Sequence, residues 1–266
     1  RSGSATDPDR VRSVQALIRN YGPSEKTELR TFFRAENVGL RKGVYEALNW
    51  FFKEEEYGII LEDDCLPDPS FFRYCAELLH RFRENEQIMH IAGSNLTEAL
   101  CADLSTSYVF SKFSFVWGWA SWRRACQHME IDLDGLEAFE RNGGMSRFLP
   151  SRNAQVYMLE KFRQTRAGKN NSWAYAWFYS ILKNNGLCIV PKFNLIQNTG
   201  VGHEEATNTK KQNKEASLRA RTMPFPLVHP KKTQVQYRLE LEFFHSTQKG
   251  RWRLKLWALL HALGLR

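Results

Sequence analysis

The stretch YGIILEDD, at residues 57–64, joins a short apolar run to three consecutive acids. A continuous apolar run of this length is typical of a strand buried on both faces of a parallel sheet. Helical spacing of apolar residues precedes it over residues 40–55, and a second helix is predicted over residues 70–83. Ile88–Ala92 predicts the next strand. This alternation predicts an α/β domain with a mostly parallel sheet flanked by helices.

Further strands and helices are predicted in the rest of the chain. Residues 27–34 favour a strand, and Trp, Phe and Gly cluster at residues 113–122 before a helical region that runs to about residue 166. Residues 172–184 predict a Trp-rich helix, and residues 187–196 predict a strand. We expect three parts: a domain over residues 1–206, a polar basic linker or extension over residues 207–248, and a basic amphipathic helix over residues 249–266.

Composition and charge exclude several classes of protein and partner. Hydrophobic residues make up 42% of the chain, which excludes wholesale disorder, and no apolar run is long enough to predict a membrane-spanning helix. The formal charge of +9 comes from residues 207–266, where 13 Lys or Arg face 3 Asp or Glu. Because the remainder is nearly neutral, nucleic acid is not an expected partner. Five scattered cysteines without zinc-ligand spacing predict a reducing, cytoplasmic location.

The acids Glu62, Asp63 and Asp64 are the strongest chemical signal. They follow a predicted buried strand, and the carboxyl ends of strands in open α/β sheets are where ligands bind. Crowded carboxylates repel one another, and a divalent cation such as Mg²⁺ or Mn²⁺ relieves that repulsion. The alternative is a solvated loop in which Asp64 or Asp68 caps the following helix.

Segments along the chain resemble a known family. IILEDDCLPDPSFFRYCAELL is similar to the metal-motif segment of nucleotide-diphosphosugar glycosyltransferases with the GT-A fold. The nearest resemblance is to bacterial hemolysin-A-like glycosyltransferases, and a more distant one is to Golgi N-acetylglucosaminyltransferase I. Further similar segments, in the same order, are FRAENVGLRKGV, SFVWGWASWRRAC, NSWAYAWFYSILKNNGLCIVPKFNLIQNTGVGHEEATNT and FPLVHP.

The resemblance implies a donor site. It implies that Asp64 binds Mn²⁺ or Mg²⁺ directly and that Glu62 and Asp63 contact the ribose and sugar of the donor, with a UDP-sugar expected. It also implies that a second segment lines the nucleotide side of the pocket. The residues of that segment are Arg34, Asn37, Gly39 and Arg41.

The resemblance also implies a sugar and acceptor site and a metal-binding histidine. A loop of Trp117, Gly118 and Trp119 is expected to close over the sugars, because indole faces stack on sugar rings and Gly permits movement. Trp173 and Tyr175 are expected beside it. The alternative for the Trp residues is an aromatic core, in which we expect at least one of them. His203 is expected to complete the metal shell, and its alternative is a solvated loop residue.

The chain departs from the family pattern at two points, the general base and the position of the acidic triplet. Ala174 stands where the resemblance implies an acidic general base, so Glu205 and Asp134 are the remaining candidates for that role. The acidic triplet also comes early in the chain. The resemblance therefore implies a GT-A, Rossmann-like domain that lacks its first βα unit.

The C-terminal helix suggests a membrane surface as a partner. Apolar residues recur at helical spacing, with Arg251 and Lys255 off that stripe, which suits the interface of a membrane carrying anionic lipid. The apolar residues are Trp252, Leu256, Leu259, Leu260 and Leu263. The alternative is a helix docked on the domain. The membrane interpretation predicts a cytoplasmic protein peripheral to the inner face of the cell membrane.

Together these observations predict a metal-dependent glycosyltransferase. It would move a hexosyl or N-acetylhexosaminyl group from a nucleotide-diphosphate donor to a glycan, a lipid-linked acceptor or another hydroxyl, in bacterial cell-envelope polysaccharide synthesis. The main alternative is a catalytically weakened relative that binds sugar or nucleotide. A nucleotidyltransferase is a further alternative, although the chain carries no Gly-rich phosphate loop.

Overall fold

A computed structural model describes residues 7–22, 25–149, 151–200, 218–248 and 251–263. These ranges contain helices and short strands in an α/β arrangement. The helices are α1 (Asp7–Arg19), α2 (Leu40–Glu54), α3 (Ser70–Arg81), α4 (Arg123–Cys126), α5 (Leu136–Arg141), α6 (Arg152–Arg166), α7 (Trp173–Lys183), α8 (Tyr237–Thr247) and α9 (Arg251–Ala262). The strands are β1 (Tyr57–Ile60), β2 (Cys65–Pro67), β3 (Ile88–Ala92), β4 (Tyr108–Ser111), β5 (Trp119–Trp122), β6 (Leu187–Pro191) and β7 (Ile196–Asn198).

The main sheet corrects the predicted fold class. Its five strands lie in the order β1-β5-β3-β6-β4, and only β3 and β6 pair in parallel. The β1–β5, β5–β3 and β6–β4 pairs are antiparallel. The expected mostly parallel, Rossmann-like GT-A sheet is therefore wrong, and the chain forms a mixed, mostly antiparallel one. An apolar run predicts a strand but not its direction, which is set by the neighbour with which it pairs.

The strand directions still bring several strand ends together. Because β5 pairs antiparallel with both β1 and β3, those two strands point the same way, and β6 runs parallel to β3. The carboxyl ends of β1, β3 and β6 therefore lie at one edge of the sheet. A second, two-stranded sheet pairs β2, which follows β1, with β7, which follows β6. This pairing draws the segments after β1 and β6 together at that edge.

Helices cover both faces of the sheet. On one face, α3 packs its buried Phe71 and Leu78 against alternate residues of the strands, including Ile91 and Ile189. On the other face, α2, α4 and α7 pack around Trp119. A third cluster joins α5, α6 and α7 to α8 and α9. Burial on both faces explains the continuous apolar runs that the sequence shows in β3 and β6.

Most of the individual elements predicted from the sequence are confirmed. Helices α2, α3 and α7 begin and end within two residues of their predicted bounds, and β3 has the predicted bounds. The strand predicted over residues 27–34 is wrong, because that segment is largely exposed and pairs with no described strand. The Trp-rich segment at residues 113–122 contains a strand, β5, that the sequence reading missed.

Described residues after position 217 pack onto the sheet and its helices. Met223 and Leu227 are buried in the cluster beneath α3, and Val235 forms an isolated parallel bridge with Phe110 of β4. Helix α8 buries Phe243 and Phe244 in the cluster around α6 and α7. In the described ranges, none of the helices is both long enough and apolar enough to cross a bilayer.

A stack of aromatic rings lies between the sheet and α7. The Trp119 ring stacks on His90, with ring centroids 5.1 Å apart, and on Trp173, with centroids 5.8 Å apart. His90 accepts a 3.2 Å hydrogen bond from Trp177 at Nδ1, and its Nε2 lies 2.9 Å from the carbonyl oxygen of Phe115. Burial lowers the pKa of His90 to about 4, so the ring is neutral at physiological pH.

We expect Trp119→Ala to lower the free energy of unfolding by about 3–5 kcal/mol, because it leaves a cavity in this stack. Trp252→Ala is the matched control: Trp252 is 67% exposed, so its loss should change stability by less than about 0.5 kcal/mol. Urea unfolding followed by circular dichroism measures both. Equal stability changes in the two variants would contradict the assigned core position of Trp119.

Glu240 of α8 supplies a pH-dependent contribution to stability. Its carboxylate accepts a 3.0 Å hydrogen bond from the Lys112 backbone N–H, and the side chain is 1% exposed. Burial raises the pKa of Glu240 to about 7 from its usual 4.5. Between these two values the folded chain keeps a proton that the unfolded chain has released. This carboxyl therefore makes the protein less stable as the pH rises through that window.

Glu240→Gln removes this titration with little change of shape. Relative to the parent, the free energy of unfolding of the variant should rise by about 2–3 kcal/mol between about pH 5 and about pH 8. Thermal or urea unfolding at the two pH values measures the difference. Glu86→Gln, at an exposed position, is the control and should show no such trend. A pH-independent difference for Glu240→Gln would contradict a buried, protonated carboxyl.

Candidate functional site

The acidic turn, defined as Glu62, Asp63 and Asp64, lies between β1 and β2 at the carboxyl edge of the sheet. The Cys65 backbone N–H donates a 3.1 Å hydrogen bond to the Glu62 carbonyl and closes the turn. The Asp64 carbonyl accepts a 2.8 Å hydrogen bond from the backbone N–H of Thr199, which follows β7. The turn is therefore fixed to the two-stranded sheet at both ends.

The carboxylates of this turn are crowded. Asp64 is half-buried, and a Cβ added at Gly200 would collide with its carboxylate. Burial raises the pKa of Glu62 to about 7, and the negative charges of Asp64 and Asp63 contribute to that shift. Asp68 has a different role, because it accepts hydrogen bonds from the backbone N–H and hydroxyl of Ser70 at the start of α3. The capping alternative therefore describes Asp68.

Gly118 packs directly beside the acidic turn. Its carbonyl accepts a 2.7 Å hydrogen bond from the Gly93 N–H, at the end of β3. Its φ of +61° favours glycine, and an added Cβ would lie 2.6 Å from Ile196 and 3.1 Å from Leu61, the residue before the turn. The Trp117-Gly118 segment therefore contacts the ends of β1 and β3 at once.

A cavity of about 370 Å³ opens on the other side of this segment. Its wall combines aromatic rings with small polar side chains. The lining residues are Ser94, Leu96, Phe113, Ser114, Phe115, Val116, Trp117, Lys161, Asn170, Ser172, Ala174, Tyr175, Phe178, Thr247 and Gln248. Glu62, Asp63 and Asp64 do not line the cavity. The Trp117-Gly118 segment connects the two, because Trp117 lines the cavity and Gly118 lies against Leu61, the residue before the turn.

The polar groups of the cavity wall are incompletely bonded. The hydroxyls of Ser94 and Ser114 are buried and have no hydrogen-bond partner among the described residues. Both oxygens are covered by neighbouring atoms, so they remain unsatisfied inside the wall and do not face the cavity. The Tyr175 hydroxyl donates a 3.2 Å hydrogen bond to Gln248, which joins α7 to the end of α8 across the cavity. Burial raises the pKa of Tyr175, so its phenol stays neutral.

Among the described residues that line the cavity, none carries a carboxylate. Ala174 is part of the wall, at the position where the resemblance implies an acidic base. Asp134 is exposed, and its carbonyl accepts hydrogen bonds from Tyr179 and Lys183 in the second half of α7. Asp134 is not among the residues that line the cavity. Glu205 and His203 lie outside the described residues.

The four aromatic residues predicted for the sugar and acceptor site lie in two different places. Trp117 and Tyr175 line the cavity, whereas Trp119 and Trp173 are buried in the stack between the sheet and α7. Gly118, with a φ of +61°, interrupts the extended backbone between Trp117 and Trp119. The alternation of β5 therefore begins only at Trp119, whose side chain turns toward α7, and it does not extend to Trp117.

The segment expected on the nucleotide side lies at the start of α2. Asn37 accepts a 2.8 Å hydrogen bond from the Gly39 N–H, and Gly39 faces Asn171, which neighbours the cavity wall. Arg34 is paired with Glu46. Arg41 donates a 2.6 Å hydrogen bond to the carbonyl at the end of α6. Both arginines are therefore occupied by protein groups, and no contact joins them to the acidic turn.

The acidic turn offers carboxylate oxygens as its side-chain metal ligands. Within the described ranges, no three acidic, His or Cys side chains converge as a complete metal cage. Mg²⁺ is commonly held by one or two carboxylates together with substrate phosphates. Asp64, with Glu62 or Asp63, provides such oxygen ligands.

Sequence reasoning missed several cavity residues. Ser94 follows β3 at the same edge as the acidic turn, so the rule that ligands bind at strand ends identifies it in retrospect. Ser114 and Lys161 carry no comparable signal, and neither do Thr247 and Gln248, which reach the cavity only through packing of α8.

Compared with protein-family models, curated proteins and solved structures, the chain matches none of them.

Proposed function

We propose that this protein is a metal-dependent glycosyltransferase that moves a sugar from a nucleotide diphosphate, with a UDP-sugar as the expected donor. The observation that carries the proposal is the crowded acidic turn sharing the Trp117-Gly118 segment with an aromatic and hydroxyl-lined cavity. The resemblance of the five sequence segments to nucleotide-sugar transferases supports the same reaction class and stays a prediction.

The charges of the acidic turn require a cation between protein and donor. Carboxylates and a diphosphate repel each other, so the turn binds a diphosphate only together with a divalent ion. Asp64, with Glu62 or Asp63, would hold Mn²⁺ or Mg²⁺, which when bound neutralises the diphosphate leaving group. The hydrogen bonds from Thr199 to the Asp64 backbone keep this carboxylate in position.

The cavity suits a sugar ring in size and chemistry. Trp117 and Tyr175 provide flat apolar surfaces that stack on sugar C–H groups. Asn170, Ser172, Thr247 and Gln248 add polar side chains to the wall. A ligand with several hydroxyl groups satisfies such a wall better than an apolar one.

A binding protein with little or no turnover is the second candidate. It is favoured by one observation: Ala174 is part of the cavity wall, and none of the described lining residues has a carboxylate that would deprotonate an acceptor. Of the two candidate bases, Asp134 does not line the cavity, and Glu205 is outside the described residues. Measuring sugar release from the donor separates the two candidates.

The proposed setting follows the sequence predictions. The acceptor would be a glycan or a lipid-linked sugar of the bacterial cell envelope. The enzyme would act in the cytoplasm, at the inner face of the cell membrane.

Calorimetric titration of UDP with and without Mn²⁺ tests the donor site. We expect binding that requires Mn²⁺ and that Asp64→Asn weakens by at least about tenfold, since the variant loses a charged oxygen ligand. Asp103→Asn is the matched control, because Asp103 is an exposed acid that belongs neither to the acidic turn nor to the cavity wall. Equal UDP affinity in the parent and in Asp64→Asn would contradict the proposed site. Release of free sugar from the donor by the parent would exclude the pure binding protein.

Trp117→Ala tests the sugar part of the site. We expect the variant to lose about three- to tenfold in affinity for a bound UDP-sugar, a stacking contribution of about 0.7–1.4 kcal/mol, and to keep its affinity for UDP. Titrations with UDP, UDP-glucose and UDP-N-acetylglucosamine make the comparison, with Trp252→Ala as the control. Equal losses for UDP and the UDP-sugars would show that Trp117 does not contact the sugar.

A further inference from the structure

Helix α9 carries apolar side chains on two opposite faces. The inner face contains Leu254, which is 3% exposed, and Trp257, which is 8% exposed. The Trp257 ring meets the Tyr157 ring of α6 edge-on, with centroids 5.0 Å apart. This face accounts for the docking of α9 on the domain, which was one of the two alternatives for the C-terminal helix.

The outer face forms a stripe that no described residue covers. Trp252 is 67% exposed, Leu256 48%, Leu259 57% and Leu263 62%. At about 100° per residue, these four positions fall within about 60° of one another around the helix axis. They lie opposite Leu254. Docking through the inner face therefore holds the stripe in a fixed, outward orientation.

Basic side chains flank the stripe on both sides. Arg253 and Lys255 are exposed, and at about 100° per residue they lie on opposite sides of the line through Leu256 and Leu259. The Arg253 guanidinium lies 5.7 Å from the Trp252 ring centre. The sequence of α9, RWRLKLWALLHA, contains no acidic residue. The outer surface of the helix is therefore apolar in the middle and positive at its margins.

We propose that the outer face of α9 binds a membrane surface that contains anionic lipids. The stripe enters the boundary between headgroups and acyl chains, where Trp is favoured, and the helix lies parallel to the surface. Arg253 and Lys255 extend along the apolar stripe to reach lipid phosphates. This charge complementarity selects a lipid surface over an apolar groove of another protein. The proposal does not depend on the glycosyltransferase activity.

Helix α1 provides an internal comparison. It also exposes an apolar row, with Val11 52%, Val14 57% and Leu17 76% exposed. Unlike α9, it carries acid in its first turn, where Asp9 pairs with Arg12. If exposed apolar residues alone caused binding, α1 and α9 would contribute alike.

Cosedimentation of the full chain with vesicles tests the proposal. The vesicles contain equal parts of phosphatidylglycerol and phosphatidylcholine, or phosphatidylcholine alone. We expect clear binding to the first and weak binding to the second. The triple variant Trp252→Ser, Leu256→Ser, Leu259→Ser should bind the anionic vesicles at least about tenfold more weakly. Arg253→Gln with Lys255→Gln should also weaken that binding, by about tenfold.

The control is Val11→Ser, Val14→Ser, Leu17→Ser, which alters an equally exposed row on α1 and should bind vesicles like the parent. Circular dichroism melts confirm that the exposed substitutions leave the fold intact. The proposal is overturned if the parent does not bind anionic vesicles, or if the α1 and α9 variants lose binding equally. It is also overturned if sedimentation velocity shows that the stripe holds two copies of the chain together while vesicles leave that dimer intact.

Discussion

The close approach of Gly93 and Gly118 determines where the rest of the candidate site lies. A 2.7 Å hydrogen bond joins their backbones at the point where β3 ends and the segment leading into β5 begins. A side chain at either position would collide with Ile196 of β7. Because this contact is backbone against backbone, it brings the ends of β1, β3 and β7 within reach of one another. The acidic turn and the cavity both depend on that convergence.

The sequence predicts the elements of this fold better than their arrangement. Periodicity finds α2, α3, α7 and β3, because those elements bury a regular apolar face. It misses β5, because Trp117, Gly118 and Trp119 at its start suggest a mobile loop, although all four residues of the strand are buried. Strand direction follows from long-range pairing, and no local pattern in this chain contains that information. That is why a mostly parallel sheet was expected and a mixed one is formed.

Part of the candidate site can likewise be predicted from the sequence, and part of it cannot. The acidic turn is visible in the sequence because three acids directly follow an apolar strand. Trp117 and Trp119 look equivalent in the sequence, yet one lines the cavity and the other lies in the core, because β5 begins between them. Gln248 is 73 residues from Tyr175 and reaches the cavity only through the packing of α8. Local sequence patterns therefore predict the acidic turn. The cavity wall is assembled by tertiary packing and cannot be predicted from them.

The hydrogen bond between Tyr175 and Gln248 determines when the cavity wall can form during translation. A ribosome releases the chain from its N-terminus, so the sheet and α7 emerge before the residues that complete the cavity wall. The contact between Lys112 and Glu240 spans 128 residues and cannot form until α8 has emerged. Contacts of such long sequence separation form late because their loop-closure entropy is large. The nascent domain therefore lacks Thr247 and Gln248 in its cavity wall until the chain has been released beyond residue 248.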